Sequence, residues 1–144
     1  MTFLLDTNVI SELRKKPSVR TEVFNDWADS VSIGVCAVSV ITLFELERGV
    51  LLLEQKDPNQ GNIMRDWLDS YVVPVFEKCI VPIDVETALK AASLHVPDPA
   101  PFFDALIAAS ALTKGYIVVT RNTKDFERFG VTCINPWLPA NSLE

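Results

Sequence analysis

Four carboxylates stand where a carboxylate is costly. Asp6 closes the apolar run "TFLLD". Glu45 lies on an apolar stripe, and its neighbours one turn away, Ile41 and Gly49, cannot pair with it. Asp104 interrupts "PAPFFDALIAASALTKG", whose stripe continues through Ile107, Ala108 and Ala111, and Asp125 follows Asn122 in "TRNTKDFERF". Each has an ordinary reading. Asp6 can cap the next helix, Glu45 can pair with Arg48, Asp104 can sit in a favourable first turn, and Asn122 or Thr123 can start a turn that Asp125 occupies. Convergence on one crevice explains all four at once. Crowded carboxylates raise one another's pKa and must hold protons or cations. With His95 the only histidine and no cysteine at ligand spacing, an all-oxygen set suits Mg2+ or Mn2+. Such a site activates water and stabilises charge on a phosphoryl group, which is the chemistry of phosphodiester hydrolysis.

The surrounding pattern must place these acids together. "TFLLD" is a continuous apolar run and reads as a buried strand. Val9–Lys16 reads as a short helix stopped by Pro17, and Ser18–Ala28 as a second helical stretch. "SIGVCAV" is the next buried strand. Val40–Gln55 is a helix with Leu43, Leu46, Val50 and Leu53 on one stripe, and "KDPNQG" reads as a loop. Asn62–Val72 is helical, "CIVPID" a short strand, Val85–His95 helical and "VPDPAP" a turn. Pro101–Lys114 is an apolar helix ended by Gly115, "YIVVT" a strand, Lys124–Phe129 a helical turn and "VTCIN" a last strand. Strands alternating with helices imply a parallel sheet covered on both faces. Ligands in such sheets bind beyond the strands' carboxyl ends, where strand order reverses. Asp6 and the pair Arg121–Asn122 fall at such ends.

A length of 144 residues with 49% apolar content suits one domain spanning residues 1–144, with one core. No run approaches the ~20 apolar residues of a membrane span, and the opening residues carry no signal-peptide pattern. The odd set Cys36, Cys79 and Cys133 fits reduced thiols in a cytoplasmic protein. The net charge of −6 and pI of about 4.8 argue against a broad nucleic-acid-binding surface. They leave room for a nucleic-acid enzyme whose acids are gathered in one cation-loaded pocket.

The segments "LLDTNVISEL", "VSVITLFELERGV", "FFDALIAASA" and "VVTRNTKDFERFGVTCINPW" resemble the PIN-domain nucleases in order and spacing. The nearest likeness is to VapC-type toxins of toxin–antitoxin pairs, including the FitB-like branch with its "NPW"-like ending. The resemblance implies a three-layer α/β/α sandwich on a five-stranded parallel sheet. It also implies an Mg2+- or Mn2+-dependent endoribonuclease neutralised by a cognate VapB-type antitoxin, with DNA contacted only through that antitoxin. The family acids fall on Asp6, Glu45 and Asp104. The fourth position holds Asn122, a departure from the pattern, and Asp125 can take its place. Thr7, Asn8 and Thr120 would orient the carboxylates or hold bound water. Asp6 and Asp104 would then bind the cation, Glu45 would act through water or as the base, and Asn122 and Asp125 would support the far side.

Arg14, Lys15, Lys16, Arg121, Lys124 and Arg128 could steer RNA towards the acids or serve as solvated cations. Arg48 could do the same, or offset Glu45 or Glu47. Trp27, Trp67, Phe44 and Phe76 read as core or interface aromatics. The apolar surface of the helices at 40–55 and 62–72 exceeds what one sheet face needs, which suggests a homodimer or an antitoxin groove. A dehalogenase-like phosphatase would need an acid at Asn8. A receiver domain would need a lysine near the end of the last strand, which here closes on "INPW". The non-enzymatic rival is a degenerate PIN module that only binds RNA or a partner, and Asn122 is the feature in its favour.

Overall fold

The computed structural model describes residues 1–140. Five parallel strands form one sheet in the order β3-β2-β1-β4-β5: β1 (Phe3–Leu5), β2 (Cys36–Ser39), β3 (Ile80–Val81), β4 (Ile117–Val119) and β5 (Cys133–Ile134). The central strand pairs on one side through Phe3 with Cys36 and Leu4 with Ala37, and on the other through Leu4 with Val118 and Leu5 with Val119. Strand order therefore reverses between β1 and β4, which opens the expected crevice at their carboxyl ends.

Side chains alternate across a strand, so each strand feeds two cores. Leu5, Val38 and Val119 enter one cluster with Val9, Ile10, Phe24, Leu46 and Phe76. Leu4, Ala37 and Val118 enter the other with Ile107, Ala108, Ala111 and Phe126. The first core is covered by α1 (Thr7–Leu13), α2 (Glu22–Ser30) and α3 (Val40–Lys56). The second is covered by α7 (Phe102–Lys114) and α8 (Thr123–Glu127), with α6 (Val85–Ser93) laid against α7. Both strand faces are buried, which is why the strands read as unbroken apolar runs. Burying each large aliphatic side chain contributes ~1.5–3 kcal/mol.

Two local readings need correction. "KDPNQG" is not a loop. Asp57 ends α3 and accepts, through Oδ1, from the N–H of Gln60, so α4 (Pro58–Trp67) starts immediately with Pro58 at its first turn. The helical path then continues through a π turn (Leu68–Val72) into α5 (Val73–Phe76). "SIGVCAV" is strand only from Cys36; Ile33–Val35 forms a 3-10 turn capped by Ser32. By contrast, α7 stops as read, with Gly115 left-handed at φ 72°.

The α3–α4 hairpin is closed by Arg65. Its guanidinium forks onto Glu47 at 2.7 Å through both terminal nitrogens and also reaches Glu54 and Asp69 at 3.3 Å. This holds the Glu47 carboxyl below its usual range. Trp27, Trp67 and Phe76 lie in or against the first core, whereas Phe44 is 50% exposed.

Candidate active site

Asp6 follows β1 and caps α1, so its place is fixed twice. Its Oδ1 accepts from the Thr7 N–H at 2.8 Å. Its Oδ2 accepts from the Thr120 hydroxyl at 2.8 Å, from the far end of β4. Asn8 spans the same gap: its Nδ2 lies 3.5 Å from Asp6 Oδ2 and 3.4 Å from Thr120 Oγ1, and its Oδ1 accepts from the Arg121 N–H at 3.2 Å. The carboxyl ends of the two central strands are thus tied together by side chains around a buried acid.

Glu45 projects from the third position of the second turn of α3. The Thr7 hydroxyl donates to its Oε1 at 2.7 Å, so Thr7 touches Asp6 through its backbone and Glu45 through its side chain. Arg48 does not pair with Glu45. Its guanidinium lies over the rings of Phe44 and Phe103, at 5.4 and 5.6 Å. Asp104 lies in the first turn of α7, half-buried. Asp125 lies in the first turn of α8, exposed. The Asn122 side chain makes no capping bond to α8; its N–H donates to Thr120 Oγ1 at 3.0 Å. Of the expected guiding cations, Lys15 pairs with Glu12 at 2.9 Å, and Arg128 is spent on the carbonyls of Asp98 and Pro99.

The charges of these acids reach one another. Burial pushes the Asp104 carboxyl up to about 6, with Asp6, Asp125 and Glu45 adding to the rise. Burial also raises Asp6, against the opposing hydrogen bonds from Thr120 and Thr7, and Glu45 and Asp125 raise it further. Among the described residues no lysine or arginine lies at ion-pair distance from Asp6, Glu45, Asp104 or Asp125. Nor do any three Asp, Glu, His or Cys side chains among them close into a finished cation cage. The acids share a neighbourhood without a side-chain counter-ion, and they do not close into a cage on their own. The donors are all oxygen and uncompensated, which fits a hard divalent cation.

This electrostatic load gives a pH test. The folded-state pKa of Asp104 lies above its unfolded value of about 3.9, so folding is favoured by the bound proton. That contribution is fully present below pH ~4 and is lost as pH rises through about 6. For a half-exposed group, solvent screening discounts the loss to about 1 kcal/mol. Thermal unfolding in EDTA should therefore show falling stability from pH 4 to 6.5, and Mg2+ or Mn2+ should restore it at the upper end. A flat profile with no cation effect would remove Asp104 from the site.

Three features escaped the sequence reading. Thr42, fully buried, lies 3.4 Å from the Thr7 hydroxyl, three residues before Glu45 on the same helix face; that spacing was the available signal. The others are Asn135 and Trp137, which contact Arg121.

A three-layer sheet with an acidic notch at its switch point defines the class of this protein. The chain belongs to the PIN-domain family, whose model matches residues 3–131. It is 36% identical to Toxin FitB of Neisseria gonorrhoeae over 141 residues, 93% of this chain and 97% of that one. It is 33% identical to VapC ribonuclease Y4jK of Sinorhizobium fredii over 142 residues, 95% of this chain and 99% of that one. In three dimensions it resembles FitAB bound to an IR36 DNA fragment, with a TM-score of 0.85 and 30% identity over 98% of this chain and all of the matched one. The resemblance to PIN toxins of the FitB-like branch therefore holds across the whole fold. Among the described residues no helix is long and apolar enough to cross a membrane.

Proposed function

We propose that the chain is a divalent-cation-dependent endoribonuclease and the toxin of a toxin–antitoxin pair, acting in the cytoplasm. One observation carries this reading: Asp6, Glu45 and Asp125 all act on the Asp104 carboxyl, so four carboxylates share one neighbourhood, and among the described residues no side-chain cation pairs with them. A relative named as a VapC ribonuclease and another named as a toxin support the substrate class and the biological role proposed.

Asp6, Asp104 and Asp125 would hold Mg2+ or Mn2+, with Glu45 completing the set or working alongside it. The bound cation supplies Lewis-acid stabilisation of phosphoryl charge and lowers the pKa of water. Thr120 and the Thr7 N–H each donate to one oxygen of Asp6, which sets the orientation of its carboxylate. Glu45, steadied by the Thr7 hydroxyl, accepts the proton of the attacking water. Arg121 and Asn8 border the notch on the substrate side.

One relative is named Toxin FitB and one solved neighbour is FitAB bound to a DNA fragment; these support a cognate VapB-type antitoxin as the partner proposed here, with DNA reached only through it. Exposed Phe44, Leu51 and Leu52 on α3 and Ile63 on α4 offer apolar area for a homodimer or for the antitoxin.

A panel of single-stranded RNAs incubated with Mg2+ or Mn2+ should be cut, and EDTA should stop the cutting. Asn122 in place of a fourth acid is the observation behind the rival reading, a PIN module that only binds. Retained RNA binding with no products in either cation would establish that rival.

A further inference from the structure

We propose that the closing turn Asn135–Leu138 builds a phosphate seat beside the acidic notch, in which Asn135 and Trp137 hold Arg121 and Arg121 anchors the backbone of an RNA strand. The inference rests on the ribonuclease reading and adds a place where the substrate is held.

The peptide around Arg121 is pinned from both sides. Its N–H donates to Asn8 Oδ1 at 3.2 Å, and its carbonyl accepts from Asn135 Nδ2 at 3.2 Å. Asn135 is itself set by a tight turn: its Oδ1 accepts from the Trp137 N–H at 2.9 Å and its carbonyl from the Leu138 N–H at 3.1 Å. The Trp137 ring packs against Phe24, centroid to centroid at 4.9 Å, and so is anchored in the first core. The guanidinium of Arg121 lies 5.0 Å from the centre of that ring. Stacking occupies one face of the guanidinium and leaves its N–H edge available. Among the described residues that edge meets no carboxylate, unlike Arg65, which meets three.

Arg121 lines an open cleft of about 530 Å3 with Lys124 as a second cation, Asp125 and Glu127 as acids, and Asn122 and Asn135 as neutral polar groups. Asn122 and Asp125 also border the acidic notch, so a strand lying in the cleft passes the acids. Chemistry explains the need. A chain of net charge −6 repels polyphosphate, and its own notch repels it most. A planar, always-charged fork fixed next to the notch is the group suited to gripping a phosphate bidentately. Trp137 and Asn135 are positioning residues: they act through Arg121 and touch no reacting atom.

The test is binding of a labelled single-stranded oligoribonucleotide to the full chain in EDTA, read by fluorescence anisotropy across a salt series, so that no turnover intervenes. Arg121→Ala should weaken binding about tenfold and lower the slope of log affinity against log salt by about one. Arg121→Lys should keep the slope and lose affinity several-fold. Trp137→Leu should lose about fivefold with the slope retained, and Trp137→Phe should recover most of that loss. In steady state with Mg2+, the Trp137→Leu change should appear mainly in KM. Lys90→Ala, which removes an equal charge from α6 outside the cleft, sets the background. Arg121→Ala binding as tightly as wild type, or losing no more than Lys90→Ala, overturns the seat, as does a wild type that binds no RNA. Should Trp137→Leu unfold, the two Arg121 variants decide alone. If the wild type binds RNA through Arg121 yet cuts none with Mg2+ or Mn2+, the ribonuclease reading fails and the seat stands.

Discussion

Asp6→Asn should abolish RNA cleavage, by about 10³-fold or more, while the protein stays folded. The substitution keeps the shape of the side chain. Its carbonyl oxygen can still accept from the Thr7 N–H, and its amide can donate to Thr120 Oγ1 by displacing the long 3.4 Å bond from Asn8, while the Asn122 N–H keeps its place there. What is lost is a buried negative charge whose carboxyl is already raised by burial and by Glu45 and Asp125. Removing it relieves repulsion, so the cation-free variant should unfold at the same temperature as wild type or higher. Mg2+ should then add little stability to the variant and more to the wild type. Single-turnover cleavage together with thermal unfolding, each with and without Mg2+, reads both halves. Cleavage at the wild-type rate would remove Asp6 from the mechanism.

Gly61→Ala should be the most damaging single-methyl change in the hairpin between α3 and α4. A Cβ on Gly61 would lie 2.5 Å from Glu54 Cα and 2.8 Å from its backbone N. These are backbone atoms and cannot swing aside, so the helices must separate. Overpacking of this kind costs ~1–3 kcal/mol, and the upper end applies because Glu54 also binds Arg65 at 3.3 Å. Separation drags Glu54 from the Arg65 guanidinium and loosens the fork to Glu47 as well. Urea unfolding should show a lower midpoint with an unchanged slope. An unchanged midpoint would mean that the hairpin yields at no cost.

Gly61 also shows where the sequence misled. "DPNQG" carries the residue types of a loop, and Asp57, Pro58 and Gly61 serve helices instead: Asp57 caps α4. Pro58 fits a first turn, where no N–H is needed, and Gly61 lets two helices touch. Turn-forming residues and close-packing residues are the same residues, and only tertiary contact separates the two uses. The strands were legible because burial on both faces leaves an unbroken apolar run, as in Phe3–Leu5 and Ile117–Val119. The acids stood out one by one: Asp6 at a strand end, Glu45 and Asp104 on apolar helix faces, and Asp125 after another strand. The links between them were not. A threonine after Asp6 gave no sign that its hydroxyl would reach Glu45, 38 residues on. Phe44 reads as core or interface from its neighbours on α3, and the structure excludes the core: half of it faces solvent and carries Arg48. A period of 3.6 residues fixes which side chains share a face, and it does not say how wide the covered face is.

Asp6 is held by Thr120, a partner 114 residues later in the chain. A ribosome that has made β1, β2 and β3 has therefore made none of the second half of the notch. Completion of the notch therefore waits on the last fifth of the chain, which brings Thr120 to the end of β1.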